Sequence, residues 1–574
     1  MSTTTPYELA RTPTGVTAQL HVRGTALLGA SGINRGTAFT LPEREALGLT
    51  GLLPTGVSTL EGQLRRVYAQ YQAQGSDLRK WVLLTNLRDR NEVLYYKLLA
   101  SHLAEMLPVI YTPTVGQAIQ RFSQEFRRTR GVFLSIDHPD QIETALRNTG
   151  LGPDDIDLLV ATDSEGILGI GDQGIGGIEI SIGKLAIYTA AGGIHPRRTL
   201  PVVLDVGTDN LQLLNDPLYL GERHARIRDH RYDQFLDAFV TAVSTVFPHA
   251  MLHWEDFAAG NARRVLHHYT EQICSFNDDL QGTAAVTLAA ITSALRVTGQ
   301  RLSDQRIVIH GAGTSGTGIA DLVRDTMTRE GLTPDQANQR FWAVDRQGLL
   351  VDDDPTLHDF QRPYARTRDE VTAWTTTVPG RPISLAEVVD QVHPTVLIGA
   401  STQGSAFTEG IVKDMAGHVD RPIILPLSNP TSMCEAVPED LLGWTDGRAL
   451  VATGGPFPPV THDGRTYRIP QSNNALIFPG LGLGVTVARA SRITDNMISA
   501  ASTAVAALAD PTTPGAPLLP LMDDLRTVAA TVATAVAIAA ARDGVARNAI
   551  EHPVQQVTDA MWRIEYPHLD LTGQ

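Results

Sequence analysis

Apolar residues between Leu60 and Phe126 recur at helical spacing, as in Trp81, Leu84, Leu87, Leu94, Leu98 and Leu99, which predicts a mainly helical first region. The pattern then shortens. From Asp155 to Val206 it breaks into β-rich runs at 156–161 and 200–205, separated by a Gly-rich loop and a helix-like stretch from Ile182 to Thr189. That alternation predicts an α/β layer. After Arg306 the order becomes a strand at 307–310, a Gly turn at 311–317, a helix into Gly331 and a strand at 341–345, with further strand-like runs at 395–398 and 423–425. These runs end in small or polar residues, the pattern of a doubly wound parallel sheet with ligand loops at its strand ends. Beyond Pro479 the chain returns to Ala-rich helix, broken by a Pro/Thr-rich loop near 511–520, and it contains no internal repeat.

Composition narrows the class. The 574 residues suggest about three or four domains at roughly 150 residues each. With 43% hydrophobic and 19% charged residues each domain can bury a core, which excludes general disorder and coiled coil. Lys and Arg total 47 against 62 Asp and Glu, a net charge of −15 that repels phosphate backbones and anionic lipid, so neither nucleic acid nor a membrane is expected as a partner. The two cysteines, Cys274 and Cys434, cannot build a disulfide framework or a multi-thiolate metal site. Residues 1–20 carry no basic segment followed by an apolar run, so a cytoplasmic location is expected. The longest nearly uncharged apolar stretch, from Thr527 to Ala541, is shorter than the ~18 residues of a membrane span and reads as a buried helix.

Several segments carry chemistry. Gly311-Ala-Gly313-Thr-Ser-Gly316 follows a predicted strand and opens a predicted helix, the context in which G-x-G-x-x-G marks a Rossmann-type dinucleotide domain. Missing side chains let the backbone approach a pyrophosphate, and the helix end supplies N–H donors. Asp345 ends the next predicted strand, where a carboxylate accepts hydrogen bonds from ribose hydroxyls. Arg346 follows it, a side chain able to meet a 2′-phosphate, so NAD is favoured while NADP stays open. A second match, Gly169-Ile-Gly171-Asp-Gln-Gly174, shows no immediate strand-to-helix crossover and reads as a tight loop beside a site. Two acidic pairs, Glu255-Asp256 and Asp278-Asp279, are framed by Trp254, Phe257, Phe276 and Leu280. Carboxylates in an apolar frame repel unless a lysine or a cation compensates, and oxygen donors of this kind suit Mg²⁺ or Mn²⁺.

The segments Ile110-Tyr-Thr-Pro-Thr-Val-Gly116, Gly183-Lys-Leu185, Trp254-Glu-Asp-Phe257, Phe276-Asn-Asp-Asp279, Pro426-Leu-Ser-Asn-Pro-Thr431 and Ser472-Asn-Asn-Ala475 together resemble the large NAD-linked malic enzymes. The likeness runs from about Gly36 to about Tyr566. It implies oxidative decarboxylation of L-malate to pyruvate and CO₂ with NAD and Mg²⁺ or Mn²⁺, in a homodimer or homotetramer. By the same resemblance Lys184 is the base that takes the C2 hydroxyl proton, a role that calls for a neutral amine and so for a pKa lowered by burial. Tyr111 is the acid that protonates C3 of the enol, and Asp278 pairs with Lys184. Glu255, Asp256 and Asp279 hold the metal, while Asn429 and Asn474 bond substrate and nicotinamide, with Asn473 a further cofactor contact.

The expected architecture is α/β. It comprises a helical N-terminal region over 1–130, a central catalytic α/β domain over 131–280, a Rossmann-type NAD domain over 281–475, and a helical segment over 476–574 that packs back on the first two. One segment departs from the family. Where malic enzymes usually have Asp-Gly-Glu-Arg-Ile-Leu-Gly, this chain has Asp163-Ser-Glu-Gly-Ile-Leu-Gly169, so Gly166 replaces the arginine that binds the substrate carboxylate. This wording, with His253-Trp-Glu-Asp-Phe257 and Trp444-Thr-Asp-Gly-Arg-Ala449, is similar to the malolactic enzymes, which convert malate to lactate and CO₂ with NAD held in place. Malolactic activity is therefore the alternative, and a malate- and NAD-sensing relative without turnover is a third. An arginine restored at position 166 is expected to lower KM for malate.

Overall fold

The structure, a computed structural model, describes residues 6–12, 15–128, 130–167, 169–374 and 381–570. Met1 to Thr5 of the segment read for targeting, and Leu168 of the glycine loop, lie outside the described residues. The chain opens on an antiparallel hairpin, β1 (Tyr7–Thr12) and β2 (Gly15–Leu20), and not on a helix. Helices then run over Leu60–Gln72, Asp77–Arg90, Glu92–Ser101, Leu103–Ile110 and Thr114–Gln120. Their starts follow from polar caps: Thr59, Ser76 and Asn91 accept hydrogen bonds from the amides of Gly62, Arg79 and Leu94, each satisfying a donor that a helix amino end leaves without a partner.

The central layer is an all-parallel sheet of β3 (Val132–Ser135), β4 (Leu158–Thr162), β5 (Thr199–Asp205), β6 (Met251–Trp254) and β7 (Ser275–Asn277), in the order β3-β5-β4-β6-β7. Every residue of β4, β6 and β7 is buried, which is why β4 reads as a continuous apolar run, whereas β6 and β7 carry His253, Ser275 and Asn277 inside and are not marked as strands by the pattern. Helix Ile178–Ala190 is buried at every position. It starts at Ile178 where the pattern suggested Ile182, because a helix that is apolar all round has no polar stripe to mark its first turn. The second glycine match thus does precede a helix, as a tight loop between β4 and Ile178–Ala190, with Gly169, Gly171 and Gly174 all at positive φ.

The second sheet contains β8 (Ile307–His310), β9 (Phe341–Asp345), β10 (Gly348–Leu349), β11 (Val396–Gly399), β12 (Ile423–Pro426) and β13 (Leu450–Val451), in the order β10-β9-β8-β11-β12-β13. β10 runs antiparallel to β9 and the other pairs are parallel. The chain order reverses between β8 and β11, the switch point at which open α/β sheets bind ligands.

Helices Phe478–Ala488, Asp495–Leu508 and Leu525–Arg542 follow, after a short hairpin of β14 (Val460–His462) and β15 (Arg465–Tyr467). Two helical runs, Asp278–Thr298 and Met522–Arg542, are long and apolar enough by length and composition to cross a membrane. Both are longer than the uncharged stretches in the sequence, and both pack on neighbouring helices; Val528, Val532 and Val536 form a buried stripe along the second. One apolar cluster joins the N-terminal helices, one face of each large sheet and the C-terminal helices. Finally β16 (His568–Asp570) pairs in parallel with β2, so the two ends of the chain share one sheet.

Candidate active site

β4, β6 and β7 lie side by side, so the segments leaving their carboxyl ends converge: 163–171, Glu255-Asp256 and Asp278-Asp279. Lys184, on the buried helix Ile178–Ala190, points its ammonium into this convergence. Its Nζ lies 2.7 Å from Asp278 Oδ2 and 2.8 Å from Glu255 Oε1, and 4.7 and 4.6 Å from the ring centres of Tyr111 and Phe478. Tyr111 Oη donates to Glu255 Oε1, the oxygen that also faces Lys184. Asn474 Nδ2 donates to Asp278 Oδ2 at 2.9 Å. Lys184, Tyr111, Asp278, Glu255 and Asn474, expected together, are brought together.

One expectation is overturned. Burial does push the Lys184 amine down, but the carboxylates of Asp278 and Glu255 outweigh it and hold the lysine above its ordinary value. Two anions within hydrogen-bond distance stabilise the charged form more than desolvation penalises it. The same ion pair acts on Glu255: against the cost of burial, Lys184 and then His253 hold its carboxyl well below the usual carboxylate range. Asp279 moves the other way, pushed up first by burial and then by the charges of Glu255 and Asp278.

Glu255 and Asp279 move in opposite directions because Lys184 and His253 face Glu255, whereas burial and neighbouring anions dominate at Asp279. The carboxylates of Glu255 and Asp278 face the Lys184 ammonium directly, Asp256 and Asp279 adjoin them in the chain, and this excess of negative charge is what a divalent cation would neutralise. Asp256 is held at φ +53°, in the left-handed region that a non-glycine residue adopts at a cost. That turn aims its N–H at Asp279 Oδ2, 3.1 Å away, and its carbonyl at Gly166 N, 3.0 Å away. Asp278-Asp279 opens a single π-helical turn, Asp278–Gly282, an irregularity frequent at functional sites. The hard oxygen donors fit Mg²⁺ or Mn²⁺. The group of possible ligand atoms within 4.8 Å of one another is His253, Glu255 and Asp278. Of the three expected metal holders it contains Glu255 but neither Asp256 nor Asp279, and it includes His253, which was not singled out as a site residue and whose ring nitrogens face Glu255 and Tyr188. The only signal of His253 in the sequence was its place two residues before Glu255.

The glycines at the switch point divide three tasks. Gly311 has φ +103°, and a Cβ there would lie 2.3 Å from Ala400 O, so only glycine fits the turn. A Cβ on Gly316 would lie 2.0 Å from Gly311 O, whereas one on Gly313 would meet nothing within 4 Å. Gly313 borders open space at the start of helix Thr314–Arg329, a cradle for a pyrophosphate. Gly313→Ala should therefore fold with an unchanged Tm and weaken NAD binding by about tenfold, near 1.4 kcal/mol; calorimetric titration measures both halves of that expectation. Asp345 ends β9 with one oxygen accepting from Arg346 N at 2.9 Å and the other from Gln361 Nε2 at 3.3 Å, and Gln361 also donates to Ala312 O at 2.9 Å. The buried Gln361, unmarked in the sequence, thus ties the carboxylate of Asp345 to the glycine turn. Asn429 packs on Gly454 and Gly455, where a Cβ on the latter would lie 2.7 Å from its Oδ1. Asn473 Oδ1 accepts from Ala475 N at 2.9 Å as a helix cap, so this oxygen has a structural partner.

Residues 88–270 match the malic enzyme, N-terminal domain family, and residues 280–541 match the malic enzyme, NAD binding domain family. The chain belongs to the malic enzyme family. It is 56% identical over 544 residues to NAD-dependent malic enzyme 3 of Bacillus subtilis (strain 168), covering 95% of this chain and 96% of that one. It is 50% identical over 545 residues to the NAD-dependent malic enzyme of Sodalis glossinidius (strain morsitans), covering 95% and 96%. A malolactic enzyme of Leuconostoc mesenteroides is 46% identical over 535 residues, covering 93% and 98%. The crystal structure of the Entamoeba histolytica malic enzyme shares the fold at TM-score 0.55 and 24% identity, over 90% of each chain.

Within this family Gly166 takes on a definite meaning. A Cβ at this position would lie 2.9 Å from Phe257 O and 3.1 Å from Phe257 C, backbone atoms of the loop that carries Glu255 and Asp256. A side chain therefore cannot be added without moving that loop, and the expectation that Gly166→Arg lowers KM does not survive. Gly166→Ala, and more so Gly166→Arg, should lower stability by about 1–3 kcal/mol through overpacking and reduce turnover. Thermal unfolding and steady-state kinetics on the two variants test this.

Proposed function

We propose that this chain oxidatively decarboxylates L-malate to pyruvate and CO₂, passing hydride from C2 to NAD and depending on a divalent cation. The observation that carries the reading is the oxygen shared by Lys184 and Tyr111: both contact Glu255 Oε1, so base and acid are joined through one carboxylate. Glu255, Asp256 and Asp279 would hold a Mg²⁺ or Mn²⁺ ion, which when bound would supply Lewis-acid charge stabilisation for the oxidation and decarboxylation.

The chain's own side chains move the protons. Lys184 takes the proton of the C2 hydroxyl as a neutral amine, the proton of its ammonium having first passed to the carboxylate of Asp278, 2.7 Å from Nζ. Tyr111 stays protonated, its hydroxyl pushed well above the usual tyrosine value by burial and then by Glu255 and Asp256, and so serves as the acid that protonates C3 of the enol. Asn474, bonded to Asp278, orients the partner of Lys184. Asn429, on the loop after β12, is an amide that the family resemblance assigns to substrate and nicotinamide.

The deciding experiment gives purified protein malate, NAD and Mn²⁺ and follows NADH absorbance together with lactate and pyruvate by chromatography. Free NADH and pyruvate in equal amounts are expected. Stoichiometric lactate without free NADH would reject this outcome in favour of a malolactic enzyme, the reading favoured by Gly166. Bound malate with no product would mark a sensing relative. The family resemblance further supports a homodimer or homotetramer, which sedimentation velocity reads directly.

A further inference from the structure

Behind Glu255 lies a buried imidazole that the proton transfers above do not use. His253, on β6, and Tyr188, on helix Ile178–Ala190, are both fully buried. His253 Nε2 lies 2.7 Å from Glu255 Oε2, and His253 Nδ1 lies 2.8 Å from Tyr188 Oη. Phe276 and Phe478 pack beside the ring at 5.3 and 6.1 Å between ring centres, and a carboxylate oxygen of Asp278 lies within 4.8 Å of a ring nitrogen without a hydrogen bond to it. Tyr188 and Glu255 are thus the hydrogen-bond partners of the imidazole among the described residues.

The two ends of the ring have different tasks. An ionised Glu255 can only accept, so Nε2 donates to it, while Nδ1 is held by the Tyr188 hydroxyl 2.8 Å away. This arrangement divides the carboxylate of Glu255: Oε2 is occupied by His253, and Oε1 is presented to Lys184 and Tyr111. A free carboxylate would rotate between these partners, and an imidazole anchored at its other nitrogen by Tyr188 removes that freedom.

We propose that His253 is a positioning residue, which with Tyr188 fixes the orientation of Glu255 for its part in the cation site and the Lys184–Tyr111 pair. The inference rests on the proposed role of Glu255 toward a divalent cation. Groups behind a metal ligand typically change metal affinity by about 10–100-fold when removed.

The test measures Mn²⁺ affinity in the absence of substrate, by titration calorimetry and electron paramagnetic resonance, for His253→Phe, His253→Gln, Tyr188→Phe and Glu255→Ala, with circular dichroism to establish folding. His253→Phe keeps an aromatic ring without a donor and should raise the Mn²⁺ Kd by about 10–100-fold. His253→Gln can still donate to Glu255 and should recover most of that loss, and Tyr188→Phe should shift the Kd in the same direction as His253→Phe by less. Unchanged affinity in His253→Phe, with a large loss in Glu255→Ala, would overturn the inference alone. Unchanged affinity in Glu255→Ala would instead overturn the cation-site reading beneath it. Nitrogen hyperfine coupling to bound Mn²⁺ that disappears in His253→Gln would make His253 a direct ligand and would also overturn its positioning role. If His253→Phe does not fold, the Gln and Tyr188→Phe variants decide: equal loss in Gln and in Glu255→Ala rejects positioning by donation.

Discussion

Lys184→Ala should lower kcat for malate oxidation by about two to four orders of magnitude, the usual contribution of a positioned general base. Tyr111→Phe should separate from it, still oxidising malate but slowing ketonisation of enolpyruvate, since the two residues act on different atoms at different steps. Parent-rate malate oxidation by Lys184→Ala, or normal enolpyruvate processing by Tyr111→Phe, would reject the roles. The lysine variant carries a second signature. Removing the ammonium leaves Asp278 and Glu255 buried without their cation, which should cost about 3–5 kcal/mol of stability. The sign with pH follows from the direction of the shifts. Lys184 is raised, so its contribution is complete below the ordinary lysine value and is lost only as alkaline pH passes its folded value. Glu255 is depressed, so its contribution is complete above the ordinary carboxylate value and is lost as pH falls toward its folded one. The stability gap between parent and variant should therefore be wide at neutral pH and close in acid, as measured by denaturant unfolding across pH.

Removal of the divalent cation is the other large effect. Dialysis against a chelator should abolish turnover, and Mn²⁺ or Mg²⁺ should restore it. Asp279→Ala should fail to recover at any concentration that saturates the parent, because one of three proposed ligands is gone and decarboxylation lacks its electron sink. Binding also has a signature independent of activity. At a hundred times its Kd, the ion should stabilise the parent by about 2.7 kcal/mol, seen as a rise in Tm that Asp279→Ala does not show. Affinity should fall as pH is lowered, since the carboxylates must be ionised to bind. Full turnover of a metal-stripped sample would reject Glu255, Asp256 and Asp279 as ligands.

Much of this was legible before any coordinates, wherever the determining physics is local. The Gly311–Gly316 turn announces itself because a strand end, a positive φ and a helix start must be encoded within a few consecutive residues. Strands β4, β8 and β11 announce themselves as short apolar runs because both faces of a parallel sheet are covered. The N-terminal hairpin did not, since β2 completes its sheet with β16, a partner at the far end of the chain, and such pairing leaves no periodicity in either segment. Helix Ile178–Ala190 was read four residues late for a related reason, as complete burial erases the polar face by which a helix start is recognised.

The amino-acid sequence by itself determined the residue types available for chemistry: a lysine, a tyrosine, two acidic pairs and a glycine turn, in an order and spacing that name the family. It could not determine their charge state or freedom, because these depend on contacts between distant segments. Asp278 reaches Lys184 across 94 positions and Tyr111 reaches Glu255 across 144, and the carboxylates that tertiary contact brings to the lysine outweigh burial and raise its pKa. The same holds for Gly166, whose missing side chain is enforced by the backbone of Phe257, and for His253, which is locked by Tyr188 from 65 positions away. Chain order supplies the groups, whereas electrostatic coupling and steric exclusion act through distance in space, which only the tertiary structure sets.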